Sequence, residues 1–402
     1  MKKPSAVIDS RPVQTRHTRA MEKAVIRVMR HGASYTMGSE VKAFEKEFSE
    51  FIGGFAVGVT SATAALELAA TLSRVGPGDE VIVPAHTFVS SAVTFARRRA
   101  RLVWADIAPD TRVISIDTVA PLVTKRTKVI IIVHLYGLTV DMDPILKLAR
   151  QNGILVVEDC AQAPGALYKG RRAGTLGDFG CFSFHTQKNI TTLGEGGMLV
   201  CRRQEDGVTA MKLRWMGNWP FEGKRECYWI PAMGNLVCGL EGEWPFNFCL
   251  AEPNAAVGRL ELQRLDAISE GRRRQARRMI EGLRDVPELS FQKVNDGCDH
   301  VYHLMPAQYD GARTGKTRND LIRMLHDEYN IRCSVHYIPL YRVDLFKKMG
   351  CGKGHCPASE RYFDNMLGYP WWSDMPDKLL DYFIGSTRAA CARLRGGEVK
   401  GA

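Results

Sequence analysis

The amino-acid sequence predicts an α/β protein with a mainly parallel sheet flanked by helices, followed by a smaller C-terminal α+β domain. Through the first two thirds of the chain, apolar strand-like runs alternate with helical patterns, which is typical of βαβ units. The chain has 402 residues, more than one average domain contains. We therefore predict a large domain at residues 1–260 and a small domain at residues 261–402.

The patterns predict the elements in chain order. Short β-branched runs near Val81, Val103, Ile131 and Val156 have the continuous hydrophobicity of strands buried on both faces, and CFSF and GGMLVC continue the series. Helical periodicity marks residues 41–52, 62–73, 143–151 and 252–283, and the last helix crosses from the large domain to the small one. The small domain then contains VYHLMPAQY, a helix at 317–329, the strand-like IRCSVHYI and a final helix at 377–394.

Composition is that of a globular protein with an anionic partner. Hydrophobic residues make up 45% and charged residues 25% of the chain, so we expect a sizeable core. The net charge is +11, with basic runs at 97–101 and 271–278. No nucleic-acid-binding module accompanies these runs, and solvated helix faces often carry such charge. We therefore expect a small anionic substrate and no nucleic acid.

The chain contains no recognisable targeting, membrane or disulfide pattern. Its first twenty residues are basic but lack an apolar core, and no segment approaches eighteen uninterrupted apolar residues. The eleven cysteines include no C-x-x-C pair, which favours reduced thiols and a cytoplasmic protein. CGKGHC, with Cys351, His355 and Cys356, lacks four ligands at zinc spacing, so we predict no metal site.

A lysine and a carboxylate give the strongest chemical signal. Lys188 lies in FSFHTQKNITTLGEGG, downstream of a buried strand-like run that ends at Glu158 and Asp159. Ligands of open α/β sheets bind at the carboxyl ends of the strands. Pyridoxal 5'-phosphate (PLP) needs a lysine amine to hold its aldehyde and a carboxylate to keep its pyridine nitrogen protonated. Lys188 and Asp159 supply these two groups.

Several segments, in order along most of the chain, resemble one known family. They are GVTSATAALELA, GPGDEVIVPAHTFVSSA, VIIIVHLYGLTVDMDPI, VVEDCAQAPGALYKGRRAGTLGDFGCFSFHTQKN, GEGG and SVHYIPLY. The chain thereby resembles the DegT/DnrJ/EryC1/StrS family of PLP-dependent sugar aminotransferases, which have the fold type I of aspartate aminotransferase. An ordered set of motifs is much stronger evidence than any single one.

The resemblance implies a cofactor site around Lys188 and Asp159. The small residues that open a helix at SATAALELA offer free N–H groups to the cofactor phosphate, with Ala62, Thr63 and Ser183 as the candidates. Ala62 departs from the glycine that is usual in the family. Phe88 matches the aromatic residue that stacks on the pyridine ring, and Gln162 the partner of the cofactor's phenolic oxygen.

Further residues are carried over from the family with a clear departure. Asn247 resembles an asparagine that reaches the cofactor phosphate of the other subunit in a homodimer with shared active sites. Cys249 stands where the family usually has arginine. His185, His336 and Tyr337 resemble residues of the substrate cleft. The Trp-rich segment 214–247 fits either a ligand pocket or a packed interface.

The implied function is transfer of an amino group from L-glutamate or L-glutamine to a keto sugar, with Lys188 moving the proton. We expect the sugar to be nucleotide-activated and the product to be an amino sugar. A cyclitol or another ring ketone without a nucleotide is the alternative acceptor. A non-catalytic PLP-binding regulatory protein is less favoured. So is a PLP sugar dehydratase, because the related dehydratases replace the lysine by histidine. A Rossmann dehydrogenase would need G-x-G-x-x-G after its first strand.

Overall fold

The computed structural model describes residues 3–9, 17–219, 229, 233, 235–237 and 240–396. Helices and strands alternate along most of this part of the chain. The helices are α1 (Arg19–His31), α2 (Ser39–Ile52), α3 (Ala62–Leu72), α4 (Ser90–Arg97), α5 (Ile116–Val119), α6 (Met142–Asn152), α7 (Gln204–Arg214), α8 (Glu252–Leu262), α9 (Leu265–Leu283), α10 (Arg318–Tyr329), α11 (Asp344–Lys348), α12 (Pro357–Asn365) and α13 (Asp377–Leu394).

The strands form one large sheet and three small ones. They are β1 (Ile8–Asp9), β2 (Phe55–Val59), β3 (Glu80–Pro84), β4 (Arg101–Ala105), β5 (Thr127–Val133), β6 (Leu155–Asp159), β7 (Leu167–Tyr168), β8 (Arg171–Arg172), β9 (Phe179–Ser183), β10 (Gly197–Cys201), β11 (Leu289–Phe291), β12 (Met305–Tyr309), β13 (Ile331–Arg332) and β14 (Met366–Tyr369).

The large sheet has seven strands in the order β2-β10-β9-β6-β5-β3-β4. Strand β10 runs antiparallel to both of its neighbours, and the other adjacent pairs are parallel. Strands β3, β9 and β10 are buried along their whole length, as strands covered by helices on both faces must be. Because β3, β5, β6 and β9 are parallel, their carboxyl ends meet at one edge of the sheet.

The C-terminal part has its own antiparallel sheet, β11-β12-β14, which packs with α9, α10 and α13 around a separate apolar core. Helix α9 contributes to two cores: Leu265 and Ile268 pack with the large-sheet side, and Ala276 and Met279 pack with the C-terminal core. The predicted fold class, a mainly parallel sheet with flanking helices and a smaller α+β part, is confirmed. A domain boundary after residue 260 stays a prediction.

Two predicted elements need correction. The helix expected at 252–283 is divided into α8 and α9 around Gln263 and Arg264, a break that no glycine or proline marks in the sequence. The strand expected in IRCSVHYI is limited to β13, since Ser334 makes only an isolated bridge to Gly368. Among the described residues, no helix is both long and apolar enough to cross a membrane.

Candidate active site

The carboxyl edge of the large sheet and the C-terminal part enclose a cavity of about 900 Å³. Its walls come from the loops after β3, β6 and β9, the start of α3, and the C-terminal segments 303–306, 334–337 and 368–373. All the predicted site residues except Asn247 line this cavity, namely Ala62, Thr63, Phe88, Asp159, Gln162, Ser183, His185, Lys188, His336 and Tyr337.

Lys188 lies in the turn that follows β9, where its backbone N–H donates to the carbonyl oxygen of His185 at 2.8 Å. Burial lowers the pKa of its amine to about 8, although the carboxylates of Asp159 and Glu195 act in the opposite direction. An amine with this pKa is uncharged in about a tenth of the molecules at pH 7, far more than an ordinary lysine is. It can therefore serve as a nucleophile or as a base.

Asp159 ends β6 and is 6% exposed. The hydroxyl of Ser91, in α4, donates to Oδ2 at 2.7 Å, and the backbone N–H of Ala161 donates to Oδ1 at 3.0 Å. These two bonds fix the carboxylate at the cavity wall. The sequence does not reveal a role for Ser91, because a serine within a helical stretch carries no distinct signal.

The preceding residue, Glu158, belongs to a different network. Its carboxylate accepts hydrogen bonds from three backbone N–H groups of the 174–177 turn and from Nε2 of His134 at 2.9 Å. His134 Nδ1 accepts from the N–H of Val140, so Nε2 carries the hydrogen. With Cys160 these side chains form a buried group of metal-ligand type. The hydrogen bonds already engage the carboxylate and both imidazole nitrogens, which indicates a structural network.

The CGKGHC segment does not form a metal-ligand cluster in the part of the chain that the structure describes. The thiol of Cys356 is buried and donates to the carbonyl oxygen of Trp104 at 3.8 Å. The thiol of Cys351 donates to the carbonyl oxygen of Met349. Each thiol therefore has a backbone partner of its own.

The start of α3 lines one part of the cavity. Ser61 caps the helix by accepting a hydrogen bond from the N–H of Ala64 at 3.1 Å, which leaves the N–H groups of Ala62 and Thr63 in the uncapped first turn. The hydroxyl of Thr63 hydrogen-bonds to that of Ser90 at 2.9 Å. Ser183, at the end of β9, lines the same region.

Gly197 allows β10 to pack closely against the start of α3, a role that the GEGG motif alone does not reveal. It opens β10 and pairs with Val59 of β2 on one side and with Ser183 of β9 on the other. A Cβ atom on Gly197 would lie 2.4 Å from the carbonyl carbon of Ser61 and 2.7 Å from the nitrogen of Ala62. Only glycine permits this close approach between β10 and the first turn of α3.

Phe88 and Gln162 both line the cavity, and both contact Tyr337. The ring of Phe88 is 53% exposed, and its edge-to-face partner is Tyr337, at 6.2 Å between centroids. Gln162 Oε1 accepts from the backbone N–H of Tyr136 at 2.6 Å, and its Nε2 donates to Tyr337 Oη at 3.0 Å. The amide of Gln162 is therefore held in one orientation by groups from both parts of the chain.

Tyr136 supports this arrangement from behind. Its backbone has φ of +61°, an uncommon conformation for a residue with a Cβ atom, and its side chain is fully buried. Its hydroxyl donates to the carbonyl oxygen of His336 at 2.8 Å and hydrogen-bonds to His86 Nε2 at 2.8 Å. Tyr136 thereby connects the end of β5 with the segment that carries His336 and Tyr337.

Histidines line the cavity on two sides. His185 Nε2 lies 3.8 Å from the carboxylate of Glu195. Burial lowers the pKa of His336 to about 4, and the charge of Lys188 adds to the effect. His303, which the sequence did not single out, is buried and hydrogen-bonds to Asn189 Oδ1 at 3.2 Å. His336 is therefore neutral at physiological pH and acts there as a polar neutral group.

Asn247 and Cys249 do not line this cavity. Asn247 is exposed and bridges to Trp215, and Cys249 is half-buried and donates through Sγ to the carbonyl oxygen of Arg214. The expected role of Asn247 across a subunit interface stays a prediction. The Trp-rich segment 214–247 falls partly outside the described residues.

The basic runs of the sequence pair largely with acids of the same chain. Arg98 forms a two-pronged ion pair with Glu243, and Arg101 lies 3.2 Å from Glu80. On α9, Arg273 donates to Asp299, Arg277 to Glu270 and Arg278 to Asp381. Most of this positive charge is therefore neutralised locally.

The donor set fits PLP from end to end. A helix start with serine and threonine hydroxyls suits the phosphate, a fixed carboxylate suits the pyridine nitrogen, and an amine of lowered pKa lies on the same cavity wall. The exposed face of Phe88 suits a planar ring. When bound, PLP supplies the electron-withdrawing ring that stabilises negative charge on the carbon of an attached amine.

Comparisons with known proteins agree with this geometry. The chain is 37% identical to the spore coat polysaccharide biosynthesis protein SpsC of Bacillus subtilis strain 168, over 87% of this chain and 89% of that protein. It is 32% identical to a dTDP-3-amino-3,4,6-trideoxy-alpha-D-glucose transaminase of Micromonospora megalomicea, over 91% and 93%. It is 34% identical to a UDP-N-acetyl-3-dehydro-alpha-D-glucosamine 3-aminotransferase of Acidithiobacillus ferrooxidans, over 86% and 87%.

Solved structures give the same result for the fold. The aminotransferase TlmJ of Streptoalloteichus hindustanus superposes with a TM-score of 0.83 at 31% identity, covering 94% of this chain and 97% of that one. An aminotransferase of Psychrobacter cryohalolentis gives 0.85 at 26% identity, covering 94% and 98%. A relative from Streptococcus pneumoniae has been solved in its PLP form and its pyridoxamine phosphate form.

The family model covers nearly the whole chain and matches residues 16–388. The protein is thus an α/β enzyme of fold type I whose cofactor is PLP and whose reaction is transamination. The chain belongs to the DegT/DnrJ/EryC1/StrS aminotransferase family.

Proposed function

We propose that this aminotransferase moves an amino group from L-glutamate or L-glutamine to a keto sugar, with the sugar carried on a nucleotide, and so makes an amino sugar. The observation that carries the proposal is the pairing of Lys188 and Asp159 on the wall of one 900 Å³ cavity. A cavity of this volume can accommodate the cofactor together with a sugar ring. The relatives named for dTDP- and UDP-sugars support the substrate class.

We propose the roles of the site residues from the family resemblance, and their contacts support these roles. The amine of Lys188 would hold the cofactor aldehyde and, once a substrate amine has displaced it, would move the proton of the substrate carbon. Asp159, oriented by Ser91, would keep the pyridine nitrogen protonated. The start of α3 with Ser183 would bind the phosphate, Phe88 would cover one ring face, and Gln162 would orient the phenolic oxygen.

We further propose a homodimer in which Asn247 contacts the phosphate of the partner subunit's site. Asn247 lies outside the lining of its own chain's cavity. Exposed apolar side chains lie near it: Trp215 bridges to Asn247, Met216 donates its N–H to the carbonyl oxygen of Phe246, and Trp244, three residues earlier in the chain, is 87% exposed. Exposed apolar surface of this kind marks an interaction site.

The nine cysteines that the structure describes are free thiols, which supports a cytoplasmic enzyme.

A ring ketone without a nucleotide is the second candidate acceptor. Cys249 is half-buried and neutral where the family usually has arginine, so a cation that could contact an anionic acceptor is missing. This difference favours an uncharged acceptor, whereas the named relatives favour a nucleotide sugar. A screen that includes both classes of ketone decides between them.

The test is an absorption spectrum of the purified holoenzyme before and after L-glutamate or L-glutamine is added. We expect the visible band of the lysine-bound cofactor to convert to the shorter-wavelength band of pyridoxamine phosphate. Acceptor ketones should then restore the visible band, and the most efficient acceptor identifies the substrate class. A visible band that neither donor nor any other amino acid changes would contradict an aminotransferase function and favour a non-catalytic PLP-binding protein.

A further inference from the structure

Arg272 is a buried cation that the cofactor site does not use. It lies in the first half of α9, is 4% exposed, and lines the active-site cavity with Ser373 and His303. The helix carries several other arginines, but among its described residues only Arg272 lines the cavity. A cation in such a place needs a separate physical explanation, because burial of an uncompensated charge is costly.

The guanidinium is fixed by neutral acceptors. Its Nε donates to Ser373 Oγ at 2.9 Å, and its Nη1 donates to the carbonyl oxygens of Tyr302 and His303 at 3.0 and 3.3 Å. In the described part of the chain, neither of these atoms bonds to a carboxylate, and Nη2 makes no hydrogen bond. Three of the five N–H groups of an arginine thus position the group, and two remain for a ligand.

Its neighbour on α9 shows what a structural arginine looks like here. Arg273 donates through Nε and Nη2 to the two carboxylate oxygens of Asp299, at 3.0 and 2.6 Å. Its remaining contact is with Glu270, also an acid. Arg272 lacks such a partner among the residues that the structure describes, so its charge is available to an anion that enters the cavity.

The electrostatic surroundings place this charge close to the reacting amine. Burial lowers the pKa of Arg272 to about 10, with the charge of Asp374 opposing the shift, and the group is still cationic at neutral pH. Burial also lowers the pKa of His303, and the charges of Lys188 and Arg272 contribute next. Both cations therefore act on one imidazole. A small molecule whose amine is at Lys188 can reach the guanidinium with a second group.

We propose that Nη2 of Arg272 binds a carboxylate of the amino donor. This inference rests on the proposed function, since it assigns a subsite to one of its two substrates. An amino-acid donor carries a carboxylate within a few bonds of its amine, whereas the diphosphate of a nucleotide sugar is separated from the reacting carbon by the sugar ring. Arg272 is thus a cation in the wall of this cavity whose two free N–H groups can bind a small anion.

The test compares Arg272→Gln with Arg272→Lys and with the matched control Arg273→Gln. Each protein is isolated with PLP, and its visible band and circular dichroism establish that it is folded and loaded. The probe is glutarate, an unreactive dicarboxylate, whose dissociation constant is read from the change that it causes in the visible band. Half-saturation by L-glutamate is then measured from the rate at which the visible band is lost.

We expect Arg272→Gln to weaken glutarate binding and to raise the half-saturating glutamate concentration by about tenfold to a hundredfold, the usual value of a charge-assisted hydrogen bond. Arg272→Lys keeps the positive charge at the same position, so its affinity for glutarate should lie between those of Arg272→Gln and the wild type. Arg273→Gln should bind glutarate like the wild type.

Two results would overturn the inference. The first is a glutarate affinity in Arg272→Gln and Arg272→Lys that stays within about twofold of the Arg273→Gln control. The second is an Arg272→Gln protein that binds glutarate like the wild type but is inhibited less by UDP. That result would assign the cation to a phosphate of the acceptor. Failure of the proposed function looks different, because the wild-type protein itself would then not convert with any donor.

Discussion

At the scale of single residues, burial makes the amine of Lys188 more reactive and the folded chain less stable. Its folded-state pKa is about 8, below the ordinary lysine value of 10.5, because burial disfavours the charged form. Below pH 8 the lysine is charged in both the folded and the unfolded chain, and the folded chain bears the full cost of burying that charge. Between pH 8 and 10.5 the folded chain releases its proton first, so this cost declines as the pH rises.

Replacing Lys188 by methionine should therefore stabilise the cofactor-free protein at pH 7. The expected gain in the free energy of unfolding is up to about 3 kcal/mol, from the size of the pKa shift. It should shrink as the pH rises from 8 to 10. Urea denaturation of wild type and variant at pH 7 and at pH 10 measures this gain. Lys147→Met, at an exposed position of α6, is the control. An equal loss of stability at both pH values would mean that the side chain acts through packing and not through charge.

The sequence reveals residues whose chemistry is local and hides those that the fold recruits. Lys188 and Asp159 could be predicted because each lies in a recognisable segment. Ser91 and His303 could not, because their roles depend on α4 and on the C-terminal segment approaching the sheet edge. Arg272 belongs to a basic run that is typical of a solvated helix face. The sequence does not distinguish it from the adjacent surface arginine Arg273, although the two side chains leave the helix in different directions.

At the scale of elements, the site depends on how closely β10 approaches the first turn of α3. The contact follows from Gly197, where a Cβ atom would lie 2.4 Å from the carbonyl carbon of Ser61. A larger residue must push the strand and the helix start apart. The free N–H groups of Ala62 and Thr63 are the proposed hydrogen-bond donors to the phosphate. Any shift of that turn therefore weakens phosphate binding.

Gly197→Ala should lower the affinity for PLP by at least about tenfold, and the affinity for pyridoxal, which has no phosphate, much less. Titration of the cofactor-free protein with each compound, followed by the visible band, measures both constants. Gly194→Ala is the matched control in the same loop, because a Cβ atom there would meet no atom within 4 Å. Equal losses for PLP and pyridoxal would instead indicate that the substitution disturbs the turn carrying Lys188.

Element prediction succeeded where burial leaves a pattern in the chain. Strands β5 and β6 are continuous apolar runs, so they could be located from the sequence alone. The antiparallel direction of β10 leaves no such trace, because its direction is set by how the connecting loop returns to the sheet. Helices α8 and α9 were merged for the same reason: their residues keep a helical pattern across Gln263 and Arg264, and only the tertiary packing bends the chain there.

At the scale of the whole molecule, the question is whether one chain contains a complete site. Asn247 lies outside the cavity that contains Lys188, although the family pattern connects both residues to the same cofactor. In a dimer with two-fold symmetry, a residue that misses its own cavity can complete the partner's, and the relation is reciprocal. The two residues would then belong to one site but to different chains.

Mixed dimers test this directly. Lys188→Ala and Asn247→Ala chains with different affinity tags are coexpressed, and dimers carrying both tags are isolated. If Asn247 acts across the interface, one of the two sites in each mixed dimer has both native residues, and activity at limiting PLP should reach about half that of the wild type. The reverse arrangement is the control: a wild-type chain paired with the double variant then has no complete site, so its activity should not exceed about half that of the Asn247→Ala dimer. If Asn247 acts within its own chain, the two outcomes exchange, with the wild-type and double-variant pair active and the first pair inactive, because each chain must then supply a whole site by itself.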